Sequence, residues 1–559
     1  MKHINLLVTI LFCTTALSFA DQHKYLVRVD DLADHNYPIV EIIENHYLML
    51  AGDKEVERLD ADLVPYRILD ADAGSGACYL VYLSGESAET VGQFGTILDR
   101  YEDCVLLKTT AENVPELNRL KVELNRLSTR PINVFSPIVP QEADLSRAPD
   151  TLIQKMVTAV SQDSIQASIL RMQRMYTRYA TTDSNRIILV NWIRSRLIAY
   201  GYDSVYFENF DANYGPNVIA IKRGEVYTNW NRYCVIDGHI DDVPSSGYAP
   251  GADDNASGTT AMLEAARVVK NYNFENTIRF IGFNAEEQGL IGSDSNATRA
   301  YVQGDTILGV FNFDMIGYVT SANRDTMNAH YSTAVPGCSL FVCQWFQAVA
   351  DTYTQLKIRR VRNTGTSGGS DHVSFWQNGY KALCGIERVL TPMYHTIGDT
   401  IGPYMYGNCG VNNLPFATKV IQTGVAALAK LAVPIHSGTG SEELNAGAGL
   451  NPSLEIIPNP FNSNLTVRFQ IQNSPPPFPS PLEGEDKGGG DYSNMSLRIF
   501  DASGKLVKSF NQLPITQLHS YSITWSGTDQ SGNPLPAGVY FVKLETPETT
   551  RIEKAVLLR

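Results

Sequence analysis

Residues 150 to 435 of this 559-residue chain predict an α/β fold with a mostly parallel sheet covered by helices on both faces, on three observations. Strand-like apolar runs recur at 217–221, 232–237, 277–284, 307–314 and 382–387. Helical patterns lead in at 152–160 and 185–199 and return between the runs, as at 258–271. The runs are nearly continuous in apolar residues instead of alternating, which is how strands buried on both faces read. In such sheets ligands bind beyond the carboxyl ends of the strands, so the residues that close each run are the ones to inspect.

Two further regions flank this segment. Residues 21–140 read as a small α+β region, a pro- or accessory domain. It has β-like runs at Tyr25-Leu-Val-Arg-Val29, Tyr79-Leu-Val-Tyr-Leu83 and Cys104-Val-Leu-Leu-Lys108, and a helical pattern over 114–127. It shows no cluster of metal-type side chains, so it is expected to be dispensable for the chemistry. Ser136-Pro-Ile-Val-Pro-Gln141 reads as a linker, because its prolines interrupt regular structure. Residues 436–452, rich in Ser, Gly and Ala, form a second linker. Residues 453–559 predict a β-sandwich, with strands at 465–470, 497–500, 521–525 and 538–544 between turns such as Asp501-Ala-Ser-Gly504 and Asp529-Gln-Ser-Gly-Asn533. The Pro/Gly-rich stretch 474–490 reads as a disordered insertion.

Composition fits a globular chain of several domains, with 43% hydrophobic and 19% charged residues. A formal charge of −14 argues against nucleic acid as a partner. The first 20 residues read as a secretory signal: Lys2 and His3, an apolar run from Ile4 to Leu17, then Ser18-Phe-Ala20. No later stretch is long and apolar enough to span a bilayer, so the expectation is a protein exported to the medium or the cell surface. Export permits disulfides, with Cys78–Cys104 and Cys338–Cys343 as candidate pairs. No cysteines show zinc-thiolate spacing, which leaves them outside any metal shell.

The chemistry lies in five segments, each closing an apolar run with a metal-type side chain. They are Val235-Ile-Asp-Gly-His239-Ile-Asp241, Gly251-Ala-Asp-Asp254-Asn-Ala-Ser-Gly258, Phe283-Asn-Ala-Glu286-Glu287, Phe311-Asn-Phe-Asp314-Met315 and Met393-Tyr-His395-Thr-Ile-Gly-Asp399. As ligands they offer two His and three carboxylates, plus one spare carboxylate. Catalytic zinc takes His nitrogen and carboxylate oxygen and keeps one position open. Two such ions share a bridging carboxylate, and a further carboxylate must move the proton. In His239-Ile-Asp241 the imidazole can ligate while the Asp fixes its tautomer. In Glu286-Glu287 the two side chains point in different directions, so one can ligate while the other faces the water. Both carboxylates and Asp314 follow apolar runs, where an unpaired charge is costly.

The order and content of these segments resemble the zinc-dependent aminopeptidase family of the secreted bacterial leucyl aminopeptidases, with plasma glutamate carboxypeptidase and the glutaminyl cyclases as relatives. The resemblance covers about 150–431. It implies a phosphorylase/hydrolase-like fold with a mixed sheet and two zinc ions per chain. It places His239 and Asp314 on one zinc, Glu287 and His395 on the other, and Asp254, in preference to Asp253, as the bridge. Glu286 matches the general base, and Asp241 the carboxylate behind the first His. Ser370-Asp371-His372 matches a further recurring segment near the pocket. The last region resembles the C-terminal type IX secretion sorting and FlgD-like immunoglobulin-type modules of exported bacterial enzymes, through Ile457-Pro-Asn-Pro-Phe-Asn462, Phe500-Asp-Ala-Ser-Gly-Lys505 and Pro536-Ala-Gly-Val-Tyr-Phe541. It implies the secretion machinery as a partner.

The expected activity is that of a metallo-exopeptidase removing N-terminal residues from peptides or proteins. The rivals are a dipeptidase or carboxypeptidase on the same site, and a non-catalytic binding protein that keeps the fold.

Overall fold

A computed structural model describes residues 25–30, 32, 37–132, 149–227, 231–243, 247–334, 339–402 and 409–436. Toward the C-terminus it describes 453–457, 461, 465–470, 496–502, 504–510, 520–545 and 550–558. The signal, the segments 136–141 and 474–490, and the linker from 437 to 452 lie outside the described residues. The chain divides into two compact units, one ending at Ser437 and the other beginning at Gly438.

The first unit is built around an eight-stranded mixed sheet. Its strands run in the order Lys357–Asn363, Thr326–Ser332, Ala382–Glu387, Thr306–Asp314, Arg232–His239, Thr277–Phe283, Asn217–Lys222, Val205–Glu208. The middle four, from Ala382–Glu387 to Thr277–Phe283, are mutually parallel. Antiparallel pairings join them to the strands on either side.

The apolar runs are continuous because each face of the sheet is buried. On Arg232–His239, Cys234 and Ile236 enter one apolar cluster while Tyr233 and Val235 enter the other. The first cluster is closed by helices that include Gly258–Val269, Leu340–Tyr353 and Leu414–Ala432. The second is closed by Ile291–Gln303 and His372–Gln377, and also by Val27, Val29, Ile39, Ile42 and Met49 from the N-terminal region. The strands that the sequence reading omits are Val205–Glu208, Thr326–Ser332 and Lys357–Asn363. The last of these, at the sheet edge, exposes Arg359, Arg360 and Arg362, and charge is how an edge strand resists further pairing.

The N-terminal region contains two antiparallel four-stranded sheets with short helices. One expectation fails here. Leu117, Leu120, Leu124 and Leu127 have helical spacing, but the helix is limited to Val114–Leu117 and the chain turns into a strand, Glu123–Arg126. That strand pairs antiparallel with Ala77–Tyr82, and Leu124 then reaches the apolar cluster of that sheet. Cross-strand pairing overrides the local helical pattern. A Cys78–Cys104 disulfide is also excluded. Both thiols are free, and the register pairs Cys78 with Lys108 and Cys104 with Tyr82, at opposite ends of the two strands. A Cys338–Cys343 pairing involves a residue outside the described set.

The second unit has a three-stranded sheet (Ser453–Ile457, Leu465–Gln470, Ser520–Trp525) and a four-stranded one (Leu506–Phe510, Ser496–Asp501, Gly538–Glu545, Thr550–Leu557). Leu465, Val467 and Trp525 from the first sheet share a single apolar cluster with Leu497, Ile499, Val542 and Leu557 from the second.

Candidate metal centre

Parallel strands carry their carboxyl ends to one edge of the sheet, and four of the five motifs meet there. His239 ends its strand and Asp314 ends the neighbouring one, while Glu286 and Glu287 follow Phe283. Asp254 arrives on the turn before helix Gly258–Val269. That turn approaches closely because Gly238 and Gly258 lack side chains: a Cβ on Gly258 would land on the carbonyl oxygen of Phe313. Asn255 ties the turn to the next strand, donating to Phe313 O at 2.9 Å and accepting from Gly258 N at 2.7 Å. The buried Arg178 guanidinium pins the incoming loop, donating to Ile240 O, Pro250 O and Gly251 O and pairing with Asp242 at 3.1 Å. Three residues at or beside the candidate ligands hold positive φ: Ala285 at 58°, Met315 at 48° and His395 at 54°. Non-glycine residues in that region cost energy and gather where surrounding structure fixes a functional geometry.

Asp254 lies between the two imidazoles. Its Oδ1 is 3.3 Å from His239 Nε2 and its Oδ2 is 3.2 Å from His395 Nε2. On the first side, His239 Nε2 is also 3.4 Å from Asp314 Oδ1. On the second, His395 Nε2 is 3.2 Å from Glu287 Oε2. Glu286 offers an oxygen to the group formed with His239 and Asp314, all within 4.8 Å of one another. Asp253 turns away from the centre, with Oδ1 accepting from Gly317 N at 2.7 Å. All seven sequence-predicted residues, His239, Asp241, Asp254, Glu286, Glu287, Asp314 and His395, are buried here.

The supporting groups have specific tasks. Asp241 lies 3.6 Å from His239 Nδ1, and its two oxygens accept from the backbone amides of Glu286 and Glu287 at 3.3 and 3.2 Å. It therefore holds the Glu-Glu turn as well as facing the imidazole. Asp399 has a role the sequence did not disclose: it accepts from Asp253 N and Asp254 N at 2.9 and 3.0 Å, which fixes the central carboxylate. Asp371 and His372 are buried beside the centre. Burial pushes Asp371 up to about 7, opposed by the positive field of His239.

The electrostatics are those of a cation site. Burial raises Glu286 and Glu287 well above the usual carboxylate range; His239 opposes the rise at Glu286, and the Asp254 charge adds to it at Glu287. Burial would raise Asp254 too, but the two imidazoles outweigh it and hold that group low. His239 and His395 would be lowered by burial, and their carboxylate neighbours lift them instead. His395 Nε2, Glu287 Oε1 and Asp314 Oδ1 are buried with no hydrogen-bond partner among the described residues. Buried, convergent and unsatisfied oxygen and nitrogen donors with an excess of negative charge are what divalent cations neutralise. The donor set, imidazole plus carboxylate without thiolate, fits zinc.

One participant comes from outside the predicted set. Glu123, in the N-terminal region, places a carboxylate oxygen within 4.8 Å of those of Glu286 and Glu287. The carbonyl oxygen of Leu120 lies 3.1 Å from His395 Nδ1. The expectation that residues 21–140 carry no ligand-type group near the chemistry is thereby corrected. A single Glu within a helical pattern gave no sequence signal; only the strand pairing of Glu123–Arg126 brings it here.

Residues 217–413 match the model of Peptidase family M28, and residues 482–549 match the FlgD Ig-like domain. The chain is 28% identical over 275 residues to leucine aminopeptidase 1 of Coccidioides posadasii, covering 45% of this chain and 68% of that protein. It is 27% identical over 270 residues to leucine aminopeptidase 1 of Ajellomyces capsulatus, covering 44% and 68%. Among solved structures, the LapA aminopeptidase of Legionella pneumophila shares the fold with a TM-score of 0.50 at 22% identity, over 65% of this chain and 100% of that one. The segment that carries the candidate centre is thus similar to peptidase family M28, and the relatives it matches are aminopeptidases.

Proposed function

We propose that the chain is an exported aminopeptidase that uses two zinc ions and Glu286 as general base. The observation that carries this reading is Asp254, whose two oxygens face two different imidazoles, each backed by its own second carboxylate. His239 and Asp314 would hold one ion, His395 and Glu287 the other, and Asp254 both. Zinc, when bound, supplies Lewis acidity at the scissile carbonyl and acidifies a water. Glu286 takes up the proton at its carboxylate and returns it to the leaving amine. Asp241 keeps Glu286 and Glu287 splayed by holding both backbone amides.

The domain organisation belongs to the same proposal. A signal at 1–20 directs export, residues 21–140 are a pro- or accessory domain, 150–435 the peptidase, and 453–559 an immunoglobulin-like module that engages a type IX secretion machinery. The match of 482–549 to the FlgD Ig-like domain supports the immunoglobulin-like module. Peptides and proteins with free N-termini are the substrates. Two experiments test the reading: a panel of aminoacyl fluorogenic substrates with and without chelator, and a matched panel blocked at the amine or cleaved at the carboxyl end. Cleavage of free-amine substrates alone, abolished by chelator and restored by zinc, is the expected result. Turnover of amine-blocked substrates would favour a carboxypeptidase, and turnover confined to dipeptides would favour a dipeptidase.

A further inference from the structure

The short segment from Leu120 to Arg126 touches the α/β part of the unit at several points around the centre. Lys121 Nζ donates to Pro392 O at 3.0 Å, and Leu120 O faces His395 Nδ1. Asn125 Nδ2 donates to Gly368 O, and Arg126 N donates to Gly289 O at 3.4 Å. Those contacts reach the loop carrying His395, the loop before Ser370-Asp371-His372, and the turn after Glu286-Glu287. Glu123 sits in the middle of this span. Tyr394 Oη donates to its Oε1, and Gly369 leaves room for its stem, since a Cβ there would lie 3.3 Å from Glu123 Cγ. Its carboxylate is thus held at the ligand cluster.

We propose that Glu123 is a sixth protein ligand of the metal pair, and that the segment bearing it caps the centre in the intact chain. This rests on the two-metal reading above. Three considerations support it. Glu123, half-buried, adds a carboxylate to the buried Asp254, Glu286, Glu287 and Asp314, a concentration of negative charge that a cation relieves. Its oxygen stands within 4.8 Å of the Glu286 and Glu287 oxygens, at ligand spacing. Catalytic zinc sites keep an open position and structural ones are closed, so an added side-chain ligand converts the first kind into the second. The cap is seated firmly, because Val27, Val29, Ile39, Ile42 and Met49 of the same N-terminal region share an apolar cluster with Ile219, Phe283 and Trp376.

The test compares full-length wild type with Glu123→Gln, Glu123→Ala and Asn125→Ala. The last loosens the same strand without removing a ligand. Zinc affinity is measured by competition with a chromophoric chelator, leucine hydroxamate binding by calorimetry, and turnover with an aminoacyl substrate. Both Glu123 variants should hold zinc about tenfold or more weakly, as loss of a metal-supporting group does. They should bind hydroxamate about tenfold or more tightly, since a competitor seated nine-tenths of the time costs that factor, and turnover should rise with it. Asn125→Ala should shift both readouts in the same directions, zinc weaker and hydroxamate tighter, but by less than the Glu123 variants do. Unchanged zinc affinity together with weaker hydroxamate binding and lower kcat/KM in the Glu123 variants would overturn the proposal and make Glu123 a substrate anchor. No change in any readout would overturn it as well. Tighter hydroxamate binding without cleavage of any aminoacyl substrate would keep the cap and reject the peptidase reading instead.

Discussion

Replacing Glu41 by Gln should remove a pH dependence of stability that the seat of the N-terminal region builds in. Glu41 lies on strand Ile39–Ile43 and is 1% exposed. Its Oε1 accepts from Ile42 N at 2.9 Å and Thr366 Oγ1 at 2.6 Å, and its Oε2 accepts from Gln377 Nε2 at 2.8 Å. Burial pushes the carboxyl up to about 7 from its ordinary 4.5, even though all three donors favour the ionised form. The proton has a place to go, because the Thr366 hydroxyl can accept from the acid as readily as donate to the carboxylate. Between pH 4.5 and about 7 the folded state keeps this proton and the unfolded state has released it. Stability therefore falls as pH rises, by about 1.4 kcal/mol per unit and about 3 kcal/mol across the interval. The contribution is complete below the lower value and gone above the upper one. The assay is urea denaturation of the full-length wild type and Glu41→Gln from pH 5 to 8.5. The difference between the two isolates this group, because titrations elsewhere cancel. The variant should gain on the wild type as pH rises and level off above neutrality. A difference that stays flat over this range would show Glu41 ionised throughout, held by its three donors, and would refute the reasoning.

Glu286→Gln should abolish turnover while zinc per chain stays near the wild-type value; loss of both metals would mean that Glu286 and not Glu287 is the ligand. Asp254→Ala should cost more bound metal than His239→Ala, because Asp254 faces both halves of the centre and His239 one, and metal content per chain measured after dialysis decides it. A larger loss in Asp253→Ala would make that neighbour the bridge. Gly258→Ala should destabilise the first unit by about 1–3 kcal/mol, as overpacking does, since its Cβ would collide with Phe313 O and the Asn255 amide. The urea midpoint reports this, and an unchanged midpoint would show that the helix start can retreat from the strand.

The residues legible in the sequence share one property: each closes an apolar run. A strand buried on both faces announces itself by composition, and its last residue must point out of the sheet at the edge where parallel strands converge. His239, Glu286, Glu287 and Asp314 were readable for that reason, and Asp254 and His395 through the motifs around them. The edge strand Lys357–Asn363 was not, because Arg359-Arg360 breaks its alternation and its four basic residues leave it no apolar run. The role of Asp399 was also hidden. It binds backbone amides 145 and 146 residues earlier in the chain, and sequence carries no local trace of such a pairing.

Glu123 shows the same limit from the opposite side. Leu117, Leu120, Leu124 and Leu127 fit a helix, and a helix there would have kept the carboxylate on a solvated face, where a lone Glu is unremarkable. The chain instead pairs Tyr82 with Glu123 and Val81 with Leu124. That register buries Leu124 in the N-terminal sheet's own core and turns Glu123 toward His395, because successive side chains of a strand face opposite ways. A shift of one residue would exchange the two, placing a carboxylate in an apolar core and a leucine among the metal-type ligands. The burial of Leu124 therefore fixes the position of Glu123. The packing of a region without catalytic motifs of its own thus determines what stands over the candidate centre.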